Sequence, residues 1–144
     1  GFARANYYLG EFGNGSKMKF VTNLLVAIHN TATAEAFLLG MKSGLNPEMI
    51  YNVIKDSAGS SRMFEARGPK MAKAEYHDPT MKVGIFKKDL RIISDFAAAL
   101  NCPTPLFSEC VQLYWAALAQ GRENQDTSSV CAVLEEMAHF RRQE

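Results

Sequence analysis

Lys19 and Asn23 stand four residues apart in the run GNGSKMKFVTN, and Asn30 follows seven residues later. At about 100° per residue, an α-helix brings all three within about 40° of one another on one face. An ammonium and a carboxamide one turn apart can meet a single ligand together. The local reading makes Gly13 to Ser16 a loop and cap, with a helix from Met18 onward. That sets Lys17 and Lys19 against the roughly half positive charge of a bare helix start. Either the two side chains reach into water, or something anionic sits at this helix end. A solvated polar stripe is the plainer alternative, although asparagine contributes little on a wet helix face.

Other chemistries find no support. GEFGNG spaces its glycines G-x-x-G-x-G with no apolar strand before them, and the dinucleotide fingerprint needs G-x-G-x-x-G after a strand. Ser16 follows Gly15 where a phosphate loop needs lysine. His29, His77 and His139 form no i, i+4 pair, so no metal is expected and His29 reads as a packed histidine. Cys102, Cys110 and Cys131 are an odd set without metal-type spacing, which suits core thiols in a reducing compartment. Ser60, Ser61 and Arg62 border a pocket or cap a helix; the sequence allows both.

The elements that must position these residues are helical. The chain has 144 residues, 47% of them hydrophobic, enough for one core. A net charge of +1 gives no case for nucleic acid or a charged membrane surface. No apolar run approaches the roughly 18 residues of a membrane span, and no signal-peptide pattern opens the chain. The expectation is a soluble, cytoplasmic protein or a piece of one. Met18, Val21, Leu25, Ile28, Ala32, Ala36 and Leu39 recur at steps of three and four, marking a long helix that stops at Gly44. Asn46 and Pro47 open a second helix that ends near Gly59. SSRMFEARGPKMAKAEY predicts a short capped helix broken at Gly68-Pro69. MKVGIFKKDLRIISDFAAALN predicts another amphipathic helix, CPTP a stiff link, and LFSECVQLYWAALAQG and TSSVCAVLEEMAHFRRQ two closing helices. Phe107, Tyr114 and Trp115 read as packing or subunit-contact residues. No alternating strand, repeat or low-complexity tract is present, so the fold class is all-α.

GNGSKMKFVTN resembles the G-x-G-x-x-x-K-x-x-x-N motif of the β-hydroxyacid dehydrogenase family, with Gly13, Gly15, Lys19 and Asn23 on the pattern. Further on, MKVGIFKKDL resembles that family's segment ending in K-D-L, at Lys88, Asp89 and Leu90. PTPLF and AVLEEM fit the tail of the same domain, so the resemblance spans essentially the whole chain. It implies an all-α domain opened by a long interdomain helix, like the C-terminal domain of 6-phosphogluconate dehydrogenase-type enzymes. Residues 1–15 would then be a lead from a missing N-terminal Rossmann domain, and residues 16–144 the helical substrate and dimerisation domain.

The same resemblance implies roles. Lys19 would be the acid–base group at the carbonyl or hydroxyl carbon of a small hydroxyacid, while a hydride passes to or from NAD or NADP. A helix N-terminus, the neighbouring Lys17 and desolvation under a cofactor would each disfavour the ammonium and prepare Lys19 to give up a proton. Asn23 and Gly15 would bind substrate. Lys88, Asp89 and Met81 would face the cofactor, Met81 standing where the family often has an aromatic residue. The nucleotide would be held mainly by the absent domain, and this chain alone would be inactive. Homodimers or homotetramers are the implied assemblies. A non-catalytic helical interaction or dimerisation module of the same fold is the alternative from a different class.

Overall fold

The structure is a computed structural model that describes residues 13–143. Among these are six α-helices: α1 (Asn14–Lys42), α2 (Pro47–Ile54), α3 (Arg62–Lys73), α4 (Val83–Ala99), α5 (Pro105–Ala119) and α6 (Val130–Met137). A 3₁₀ turn, Thr127–Ser129, leads into α6. The described residues contain no strand, only an isolated antiparallel bridge between Lys82 and Asp126. The all-α expectation is met. Residues 1–12 of the expected lead segment lie outside the described residues.

α1 is the axis of the bundle. It runs 29 residues, about 43 Å, and packs against each of the other five helices. It begins at Asn14, four residues before the predicted start. Gly13, not Ser16, supplies the cap: its φ of 93° is left-handed, which glycine adopts without steric cost, and its carbonyl accepts the Lys17 N–H at 3.2 Å. At the far end Gly44, with φ 97°, closes the helix as expected.

The apolar stripe that marks α1 in the sequence is not the face the bundle buries. The buried residues are Ala27, Asn30, Thr31, Thr33, Ala34, Phe37 and Met41. Met18, Val21, Leu25 and Leu39 are instead exposed. Small residues let α3, α5 and α6 approach α1 closely, so contact with neighbours decided the inward face rather than the number of large apolar side chains. By length and composition α1 is also apolar enough to cross a membrane, with a mean hydropathy of 1.3 over its best 18-residue window, contrary to the sequence expectation. Here it is the core helix of the bundle.

Two further boundaries differ from expectation. α3 passes through Gly68-Pro69 without breaking. Gly68 has no Cβ to collide with the proline ring, and it lies against the Tyr51 ring, where a Cβ would stand 2.7 Å from the nearest ring carbon. Pro69 cannot donate to the carbonyl of Glu65, four residues back; the Tyr51 hydroxyl donates to that oxygen instead, at 3.3 Å. α6 stops at Met137, short of the predicted extent, and the tail folds back. Arg142 donates to the carbonyls of Met71 (2.6 Å) and Ala72 (2.9 Å) at the end of α3, and pairs with Glu135 at 2.9 Å. Those carbonyls belong to the last turn of a helix, where donors are lacking and a cation is favoured.

Aromatic contacts set the direction of α4. Phe20 of α1 packs on Phe96 at 5.2 Å between ring centres. Phe86, at the other end of α4, meets Tyr114, which bonds to α1 at Ala27 and Asn30. α1 and α4 therefore run antiparallel.

Candidate active site

Lys19, Asn23 and Asn30 share one strip of α1, and burial along it is graded. Lys19 is exposed, Asn23 half-buried and Asn30 buried. The strip is the continuation of the core face: about 40° or less separates Asn23 from Ala27, Asn30 and Ala34 around the helix. Near Asn30 other helices cover it, and toward Lys19 they do not. Asn30 thus leaves the plain reading of a wet outer stripe, while Lys19 stands in solvent. Lys19 lies in the second turn, beyond the first-turn reach of the helix end, so that part of the electrostatic argument for it does not apply. Among the described residues, Lys19 and Asn23 make no side-chain hydrogen bond or ion pair.

Asn30 turns out to be structural. Its amide nitrogen donates to the Tyr114 hydroxyl (2.9 Å) and to the Thr127 carbonyl (3.0 Å), while Tyr114 donates to the Ala27 carbonyl at 3.0 Å. Burial pushes the Tyr114 hydroxyl well above its ordinary range, so it stays a neutral donor. The cluster ties the middle of α1 to α5 and to the turn that starts at Asp126.

Asp126 is the second anchor; in the sequence it marks only the break before the last helix. It is fully buried, and its carboxylate accepts the Thr80 N–H (2.9 Å), the Met81 N–H (3.2 Å), the Ser128 N–H (2.9 Å) and the Ser128 hydroxyl (2.5 Å). Arg67, also buried, lies 3.7 Å away. Burial alone would raise the Asp126 carboxyl, but the Ser128 hydrogen bonds and the Arg67 charge outweigh it and hold it below the usual carboxylate value. Its signal in the sequence is D-x-S before a helix, an aspartate cap whose longer-range partners a sequence cannot show. With Thr127 N–H on the Met81 carbonyl (2.9 Å), Asp126 pins residues 80–81 and so fixes where α4 starts.

That start positions the remaining candidates, though not all toward α1. Asp89 is half-buried and lies within about 20° of Phe96 around α4, on the side that packs on α1. Lys88 is exposed and stands about 180° from the buried face of Phe86, Leu90, Ile93 and Ala97, away from the strip. Asp89 therefore lies on the α1 side of α4, and Lys88 on the opposite, exposed side. The Met81 side chain is partly buried against the core. Gly15 is helical, and a Cβ there would meet nothing within 4 Å, so the described residues impose no need for glycine at that position.

Ser61 caps α3 through a 2.9 Å bond from the Phe64 N–H, and with Ser60, Ser57 and His29 it borders a groove of about 300 Å³. Arg62 does not line that groove. Cys110 and Cys131 are buried as expected; Cys102 is exposed, because it sits in the CPTP link outside the helices. Phe107 and Tyr114 are core residues, and Trp115 is partly buried under Arg91. Among the described residues no His, Cys, Asp or Glu cluster could hold a metal.

The chain is thus an all-helical bundle with a lysine–asparagine pair near the start of its long first helix. A family model described as the NAD-binding part of NADP-dependent 3-hydroxyisobutyrate dehydrogenase matches residues 13–134, and the chain belongs to that family. It is 40% identical over 129 residues to an L-threonate dehydrogenase of Cupriavidus necator, covering 89% of this chain and 43% of that enzyme. A crystal structure of 3-hydroxyisobutyrate dehydrogenase from Salmonella typhimurium matches with a TM-score of 0.80 at 36% identity, over 84% of this chain and 42% of that one. The 3-hydroxyisobutyrate dehydrogenase of Mycobacterium tuberculosis, solved with L-serine, matches with a TM-score of 0.79 at 27% identity, over 89% and 46%. The chain spans under half the length of these relatives.

The family description attaches NAD binding to this helical segment. It corrects the expectation of a C-terminal domain.

Proposed function

We propose that the chain is part of an NAD(P)-dependent oxidoreductase that interconverts the hydroxyl and carbonyl of a small β-hydroxyacid. The observation that carries this reading is the Lys19–Asn23 pair: one turn apart, on a strip continuous with the core, and engaged by no described side chain. Open space around Gly15, one turn before Lys19, supports the reading. When bound, NAD or NADP supplies the hydride acceptor for oxidation and the hydride donor for reduction.

The chain's own residues handle the proton and the substrate. In oxidation the neutral Lys19 amine takes the hydroxyl proton as the hydride leaves the same carbon. In reduction the Lys19 ammonium returns that proton to the nascent alkoxide. Asn23 holds the substrate hydroxyl or carboxylate, with Gly15 allowing close approach. Asp89, on the α1 side of α4, orients the cofactor side of the site; Met81 faces the cofactor, and Lys88 contributes charge from outside the strip. A Rossmann domain elsewhere in the intact protein completes the nucleotide site, so the 144-residue chain by itself turns over no substrate. The protein works in the cytoplasm, in keeping with its three free thiols. It assembles as a homodimer or homotetramer.

The test uses the intact enzyme with L-threonate and 3-hydroxyisobutyrate, each with NAD and NADP. Lys19→Ala should lower kcat by about 10²–10⁴-fold with nucleotide affinity near normal, and a small primary amine in the buffer should restore part of it. Asn23→Ala should act mainly on KM. Near-normal turnover in Lys19→Ala would sink the acid–base assignment.

A further inference from the structure

The apolar stripe of α1 is left uncovered. Met18, Val21 and Leu25 are 41%, 53% and 46% exposed, and the stripe continues through Ile28 and Ala32. From Ile28 onward it walls a groove of about 380 Å³, whose other sides carry Leu106 and Glu109 of α5 and Met137 of α6. Leu106 and Met137 are themselves 70% and 66% exposed. One half of the stripe is a row of knobs on bare helix, and the other half is a trough.

The spacing along this stripe has a two-fold pattern. Val21 and Ala32, Leu25 and Ile28, and Met18 and Glu35 lie at equal distances on either side of the point between Val26 and Ala27. When a second copy is set antiparallel about that point, Val21 meets the smaller Ala32 and Leu25 meets Ile28. Met18 then enters the groove beside Glu35. Lys17 and Glu35 are 18 residues apart, five whole turns at about 100° per residue, so they flank the stripe on the same side. Both are exposed. The antiparallel setting brings each Lys17 to the other copy's Glu35, giving two symmetry-related contacts of opposite charge. Such self-complementarity is what an isologous two-fold interface requires. Lys19 and Asn23 lie about 140–180° around α1 from the stripe, so the pairing leaves them open.

We propose that α1 pairs antiparallel with α1 of a second copy, Met18 seated in the partner's groove and Lys17 against the partner's Glu35. This rests on the self-association proposed above and fixes its geometry. The full chain should sediment as a dimer, and a carbodiimide should join Lys17 to Glu35, as read by peptide mass. Within one copy these residues are about 27 Å apart on a continuous helix, so that cross-link can form only between copies. Lys17→Glu or Glu35→Lys alone should weaken the dimer about tenfold, and the double reversal should restore it. Helix content by circular dichroism should stay unchanged in all three, because both positions are exposed. A monomer at about 100 µM overturns association and geometry together. A dimer without the Lys17–Glu35 cross-link, or one indifferent to both reversals, overturns the geometry alone.

Discussion

Replacing Asp126 with asparagine removes one charge and one acceptor from the buried anchor while keeping its shape. The Oδ1 side can still accept from Thr80 and Met81, but the new amide N–H₂ faces the Ser128 N–H donor against donor, and the Ser128 hydroxyl has to turn from donor to acceptor. Arg67, 7% exposed, loses its counter-charge. Each hydrogen bond to a charged group contributes about 1.5–3 kcal/mol, and breaking a buried pair costs about 3–5 kcal/mol. The terms overlap, so the expected loss is about 3–5 kcal/mol, or a fall in Tm of roughly 10–20 °C for a chain of this size. Urea and thermal denaturation of the two proteins measure it. Arg67→Met combined with Asp126→Asn should lose less than the two single losses added, since the double variant strands no charge. The folded Asp126 carboxyl sits below its ordinary value. Its contribution is therefore complete above about pH 3.9 and is lost as pH falls through the lower folded value. The gap between wild type and Asp126→Asn should accordingly narrow in acid. A loss under about 1 kcal/mol at neutral pH, or strict additivity with Arg67→Met, would refute the anchor.

Other outcomes follow from the same geometry. Gly68→Ala should destabilise the chain by about 1–3 kcal/mol, because its Cβ would press the Tyr51 ring at 2.7 and 2.9 Å; an unchanged urea midpoint would show that the ring moves freely. A thiol reagent should label Cys102 alone in the native protein and all three cysteines in denaturant, as mass spectrometry would read. Cys110 and Cys131 are buried, and burial pushes their thiols up, Cys131 to about 12. Rapid native labelling of either would contradict the packing.

The sequence by itself determined the helices, because their signals are local. Asn46 with Pro47 opens α2, Ser61 opens α3, and Gly44 closes α1, each through backbone groups a few residues away. The Lys19–Asn23 pair was legible for the same reason: helical spacing alone puts the two on one side. Only the tertiary structure decided which faces turn inward. The stripe from Met18 to Leu39 looks like a core face, yet the bundle packs on Ala27, Asn30, Ala34 and Phe37, where small side chains admit neighbours. Pro69 reads as a break until Tyr51, distant in sequence, takes the carbonyl it orphans. Asp126 reads as a simple cap until Thr80, Met81 and Arg67 converge on it. Lys88 and Asp89 are neighbours in the sequence, but a rotation of about 100° per residue sends one away from the α1 seam and the other to it. A single chain records what each residue offers its near neighbours; which distant groups answer it is set only when the helices pack.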